Sequence, residues 1–349
     1  MTRGHRLLRL GPIQIRFSSI AARRACLLVG LTVLAVAIGS EIGTYPVGAL
    51  DIGAALSGQL DRIDALILLD FRLPRLVAAL VSGAAFGAAG AIFQALLRNP
   101  LATPDIIGLA AGASAGAVMT IAFAGGAAWL PGEALLGGAF LGCLAAAVIT
   151  FLLSLRDGLS IHRLVLVGIG VSFTLAALTD FLLTRMDILR AGDAAKWLAG
   201  SIDARSWPEL ALPIAGIGAL LMAALWLQYH LNRMQMGDDL ATSLGIPVNR
   251  TRIALSLVGV ALTALAVTLA GPLPFVALIA GPIAKRIIGT NSAAIFSASL
   301  VGALITLCAD IAARNALGSV QLPTGVFTAL IGAPYFLALL FFQIKRGHL

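Results

Sequence analysis

Long apolar runs recur from near residue 25 to residue 343, and they constrain this chain more than any other feature. They fall at about 25–44, 76–97, 106–125, 134–155, 162–184, 207–229, 253–271, 273–289, 292–313 and 323–343. The hydrocarbon core of a bilayer takes roughly 20 apolar residues per helix. Backbone in lipid must satisfy its own hydrogen bonds, which leaves helices or closed barrels. A barrel would show short alternating strands, and these runs are continuous. Charged residues make up 11% of the chain, against roughly 25% in soluble domains. The sequence therefore predicts an all-α polytopic membrane protein of about ten spans. The eighth run is short and holds Pro274 and Pro282, so it is expected to be broken or only partly spanning. Residues 1–24 read as a basic tail and 25–346 as one membrane domain. The first run has a basic flank but a weak cleavage site, and is read as a retained helix.

Orientation follows from Lys/Arg counting. With the N-terminus inside, the inner segments hold 16 of the 24 basic residues, among them Arg3, Arg6, Arg98, Arg156, Arg233, Arg346, Lys285 and Arg286. The outer segments hold 12 of the 16 acids. Ten spans return the C-terminus to the same side, so both termini are expected in the cytoplasm. The net charge of +8 is then a property of inner loops and not a nucleic-acid footprint. Cys26, Cys143 and Cys308 lie in apolar runs without a CxxC pair, and read as small packing residues.

Against this bias, Arg72 and Arg75 of DFRLPR are placed outside, with Pro74 suited to the first turn of a helix. Arg314, in DIAAR, sits at the outer end of the ninth run. No ionisable group falls near a span centre, where coupled pumps and carriers need one. Asp180 and Asp310 fall in the last outer turns of the fifth and ninth runs. His5, His162, His230 and His348 lie in tails or at span ends. No HExxH, Ser/His/Asp set or Walker A appears, so no P-loop binds ATP on this chain.

Small residues dominate GAAFGAAGAIFQALLRNPLATPDIIGLAAGASAGA. Gly83, Gly87 and Gly90 share one helical face, which suits close helix packing in lipid. Asn99-Pro100 and Thr103-Pro104 then predict a tight inner turn. The segment AGPLPFVALIAGPIAKRIIG weakly echoes it, as an internal repeat would. The most polar inner stretch, residues 230–252, is long enough for two short helices. Asp238 and Asp239 favour the start of the first, Gly245 its end, and Pro247 separates it from the next. Leu240 and Leu244, four apart, predict a face that docks onto a partner.

Seven segments in order, RLPR, GAAFGAAGAIFQALLRNPLATPDIIGLAAGASAGA, WLAGSIDARSW, GDDLATSLGIPVNRTR, AGPLPFVAL, ADIAARN and LPTGVFTALIGAPYFLALL, resemble the FecCD-type permeases of bacterial ABC importers. The resemblance covers roughly residues 25 to 346. It implies a ten-helix subunit of the inner membrane that pairs with a second permease, as homodimer or heterodimer. Two cytoplasmic ATPase subunits, which hold ATP and Mg, drive such importers. A periplasmic or lipid-anchored binding protein delivers an iron-siderophore, haem or cobalamin. By resemblance, Arg72, Arg75 and Arg314 match residues that pair with acids of the binding protein. Asn99 and Leu101 match the cytoplasmic gate. Gly237, Asp238, Asp239, Leu240, Leu244 and Gly245 match the segment seated in the ATPase. Charged neighbours of that segment, such as Arg250, are expected to set its register.

Many relatives place proline one position earlier than Gly281-Pro282, so a changed bend is expected there. FVALIAGPIAKR most resembles the catecholate-siderophore branch, which favours a ferric siderophore over cobalamin or haem. The competing class is an ion-coupled secondary carrier, which would need a mid-membrane ionisable site.

Overall fold

The structure is a computed structural model. It describes the chain from residue 5 to 345 apart from 11–12, 44, 46, 124–131, 156–160, 204, 291 and 318–320. Arg3, Arg156, Arg346 and His348 lie outside the described residues. The stretch read as a basic tail holds a hairpin instead, with β1 (His5–Leu10) antiparallel to β2 (Ile13–Ser18).

Helices follow in the order of the apolar runs. α1 (Ser19–Glu41) starts six residues before the expected span. After the short α2 (Ile52–Leu56), a rod climbs through α3 (Arg62–Leu66), a π-helical segment (Ile67–Arg72) and α4 (Leu73–Leu96). A 3-10 turn (Pro104–Ile107) leads to α5 (Leu109–Phe123), α6 (Gly132–Ser154) and α7 (Ile161–Arg185). The connector α8 (Ile188–Leu198) precedes α9 (Trp207–Met234), and α10 (Asp238–Ser243) precedes α11 (Val248–Ala270). α12 (Val276–Ile288), α13 (Ile295–Asn315) and α14 (Thr324–Lys345) complete the bundle.

Eight of these helices are long and apolar enough to cross a membrane. Two of the ten expected spans are short. α12 has 13 residues, about 20 Å at 1.5 Å per residue, which is less than the roughly 30 Å core. α5 has 15, because Pro104 and the left-handed Gly108 (φ 85°) hold the preceding residues in a 3-10 turn.

α4 is the centre of the bundle, enclosed by α9, α11, α12 and α13. Its glycines allow this, with one small-residue face set against α13 and α12. Gly83 and Gly87 meet α13 at Gly302 and Ala298, whereas Gly90 meets the Ala277 carbonyl of α12. A Cβ at any of them would overlap backbone. Gly112 and Gly116 of α5 interlock with Gly138 and Gly142 of α6 in the same way. Lipid supplies no hydrophobic drive between helices, so this close backbone approach carries the packing. Of the three cysteines, Cys143 is buried as expected, but Cys26 and Cys308 are exposed at the bundle surface.

Pro282 does not break its helix. α12 runs through it, and the break falls at Gly271–Phe275, where Gly271 (φ 68°) and Phe275 (φ 65°) are left-handed. A proline inside a helix deprives the carbonyl four residues earlier of its donor. That carbonyl, Leu278 O, accepts Gln94 Nε2 at 2.8 Å. Gly281 leaves room for the amide, since a Cβ there would strike Gln94 Oε1. The Gly-Pro pair and Gln94 thus form one unit.

Candidate docking and coupling sites

At one end of α4 the structure gathers charge that the sequence scatters. Asp310 of α13 is completely buried. Its carboxylate accepts Arg75 Nε at 3.0 Å and Thr324 Oγ1 at 3.1 Å, and ion-pairs with Arg314 Nε at 3.3 Å. Arg75 continues outward, donating from Nη1 to Asp203 at 2.7 Å and to Gln321 at 2.8 Å. One buried carboxylate therefore joins α4, α13, the start of α14 and the segment after α8.

This arrangement corrects the reading of Arg72, Arg75 and Arg314 as side chains reaching outward. The rod begins at Arg62, so Arg72 and Arg75 lie well inside a helix and not at its entrance. Arg72 and Arg75 are each 7% exposed. Arg72 donates to the carbonyls of Ser40, Val47 and Tyr45, which hold α1 and the following loop against the rod. Arg314 also donates to the Gly39 carbonyl at 3.1 Å. Burying a guanidinium without partners is prohibitive, and each finds partners within the chain, although Arg314 Nε makes only an ion pair and no hydrogen bond. Asp310 and Asp203 were missed as partners because they lie 235 and 128 residues from Arg75.

The opposite end of the bundle carries the polar segment. Residues 230–252 hold one short helix, not two: α9 extends to Met234 and α11 starts at Val248. α10 is bounded as its residues dictate. Gly237 (φ 119°) is its N-cap, and Asp238 and Asp239 fill the first turn. At its end Gly245 (φ 79°) donates to Thr242 O and Ile246 to Ala241 O. That pair of bonds is a Schellman cap, which requires a left-handed residue. Leu240 and Leu244 are 55% and 59% exposed and face away from the bundle.

Asp238 clamps α10 in place. It accepts Arg252 and Arg98, each at 2.7 Å. The hydrogen bond from Arg252, supported by Arg98, holds its carboxyl below the ordinary range. The clamp therefore stays charged near neutral pH and is lost only as pH falls through that lowered value. Arg250, expected to set the register of the docked segment, is exposed on the first turn of α11.

Asn99 and Leu101 follow α4 on this side. Asn99 Oδ1 accepts the Leu101 N–H at 2.9 Å, and Asn99 O accepts Ala102 N–H at 3.1 Å, closing the predicted turn. Arg98 just before it is left-handed (φ 49°) and anchored on Met234 O at 2.7 Å. No group of three or more potential metal ligands occurs among the described residues.

Residues 29–342 match the family model described as the FecCD transport family. The chain is 37% identical to the ferric enterobactin transport system permease FepG of Escherichia coli K12, over 92% of this chain and 96% of that one. It is 36% identical to the iron(3+)-hydroxamate import permease FhuG of Bacillus subtilis 168, over 89% and 94%. Among solved structures it superposes with a TM-score of 0.80 and 26% identity on an inward-facing ABC transporter assigned to the metal-chelate type, covering 92% of this chain and 99% of that one.

Proposed function

The chain belongs to the FecCD transport family, and from that premise we propose that it carries a ferric siderophore into the cytoplasm across the inner membrane. It is a multi-pass permease subunit of an ABC importer and not an enzyme. The observation that carries the substrate reading is the end-to-end likeness to permeases for iron chelates. Hydrolysis of ATP with Mg then belongs to a separate ATPase, and delivery to a binding protein on the outer side. A second permease, identical or not, completes the pathway.

Within that reading, α10 is the ATPase coupling element. Its exposed Leu240 and Leu244 offer an apolar face, and its ends tie directly to α9 and α11. Asn99 and Leu101 form the inner gate, held in register with α10 by Arg98. Docking of the binding protein through Arg75 and Arg314 proceeds by exchange. A carboxylate from outside displaces Asp203 from Arg75 or the Gly39 carbonyl from Arg314. Arg72, saturated by three carbonyls, serves the scaffold.

Radiolabelled iron uptake tests the reading. Deleting the gene should abolish uptake of one ferric chelate and leave chemically different chelates at wild-type rates, with plasmid copy restoring it. Unchanged uptake of every ferric siderophore, beside a loss of cobalamin or haem uptake, would reassign the cargo.

A further inference from the structure

Where α4 ends, a cavity of about 240 Å³ opens beside the ends of α9 and α12, lined by Gln94, Arg98, Asn99, Gln235 and Lys285 among others. Its polar lining is rich in donors. Lys285 carries three ammonium hydrogens and makes no side-chain hydrogen bond or ion pair with any described residue. Gln235 Nε2 is buried without a partner. The carboxylate at hand, Asp238, is already shared by Arg98 and Arg252, and Arg252 Nε is itself buried and unpaired. Two cations meet one acid there, and Lys285 adds a third charge with nothing opposite it.

These unpaired donors suit a compact oxyanion. Their position says where that anion comes from. α4 is enclosed by α9, α11, α12 and α13, so its end opens on the inner face of the bundle and not on the lipid-facing flank. The cavity is continuous with α10 through the Arg98–Asp238 pair. Arg98 is held left-handed at its rim, a conformation unfavourable for a residue with a Cβ, and such strain collects at functional positions.

We propose that this cavity is a socket for an Asp or Glu side chain of the ATPase that seats on α10. The proposal rests on the coupling reading above and adds a second, ionic contact at the end of the central helix. α10 gives the ATPase an apolar hold on α9 and α11, and the socket gives it a charged hold on α4 and α12. A carboxylate there fills the acceptor deficit of Lys285 and Gln235 together.

The test uses the permease purified with its own ATPase. A carbodiimide couples an amine to a carboxylate in contact with it, with no spacer. Peptide mass spectrometry should find Lys285 joined to an Asp or Glu of the ATPase. Lys285→Arg, which keeps the charge but not the reactive amine, should lose the cross-link and keep uptake. Lys285→Glu should lower ATPase retention about tenfold or more at about 0.15 M salt, where a shielded pair still acts, and stop uptake at normal membrane levels. Wild-type retention and uptake in Lys285→Glu, with no Lys285 cross-link, would overturn the socket. So would an anionic phospholipid held by the wild type and lost from Lys285→Glu while ATPase retention stays unchanged. Leu244→Asp separates the two levels: if it uncouples while Lys285→Glu is silent, only the socket fails, and if both are silent the coupling reading fails with it.

Discussion

Asp310→Ala should destabilise the protein by about 3–5 kcal/mol, the cost of stranding buried charge by removing one partner. Asp310 is fully buried, and the Arg75 and Arg314 side chains around it are 9% and 12% exposed. Its removal leaves Arg75 with Asp203 alone as counter-ion and leaves Arg314 with a carbonyl. It also frees Thr324, at the first turn of α14. The effect should appear as low protein levels in the membrane and a clearly lower melting temperature in mild detergent. Replacing Arg75, Asp310 and Arg314 together by apolar residues of similar volume should recover much of that loss, because only the solvated Asp203 then loses its partner and no buried charge is left unpaired. Equal melting and expression of Asp310→Ala and wild type would mean that the cluster is not a structural joint.

Leu244→Asp should do the reverse, abolishing transport while sparing the fold. Leu244 is more than half exposed, so an aspartate there costs the isolated subunit little, yet it places a charge in whatever apolar cleft receives α10. Gly245→Val should act through the backbone. A Cβ at Gly245 meets nothing within 4 Å, so no clash is involved. Its φ of 79° is costly for a branched residue, about 1–2 kcal/mol, and losing it undoes the Schellman cap that positions Leu244. In both variants the ATPase should dissociate or hydrolyse ATP without response to the loaded binding protein. Wild-type stimulation and uptake in both would leave α10 as a mere connector, as exposed loops that tolerate change are.

What the sequence made legible is what short-range physics controls. The apolar runs located the ten longest apolar helices, and the chemistry of Asp238, Asp239, Gly245 and Pro247 bounded α10 correctly. The misses share a cause. Arg72 and Arg75 seemed to stand at a helix entrance because residues 62–72 mix charge with apolar side chains, yet the rod begins at Arg62. Their partners lie far along the chain, and no local pattern signals a pairing across 235 residues. Pro282 reads as a breaker in isolation, but Gln94 of another helix supplies the missing donor. The short α5 follows from a 3-10 turn that takes up Ile106 and Ile107, which read as the start of the span.

This chain should move a ferric chelate only as part of an ATP-driven assembly. Proteoliposomes test it most directly, with labelled iron chelate and loaded binding protein outside, and ATP with Mg on the ATPase side. The chelate should accumulate when permease, partner permease, ATPase and binding protein are all present. None should accumulate with a non-hydrolysable nucleotide, and none with this chain alone. Concentration of the chelate by this chain alone on a proton gradient, without ATP, would contradict it.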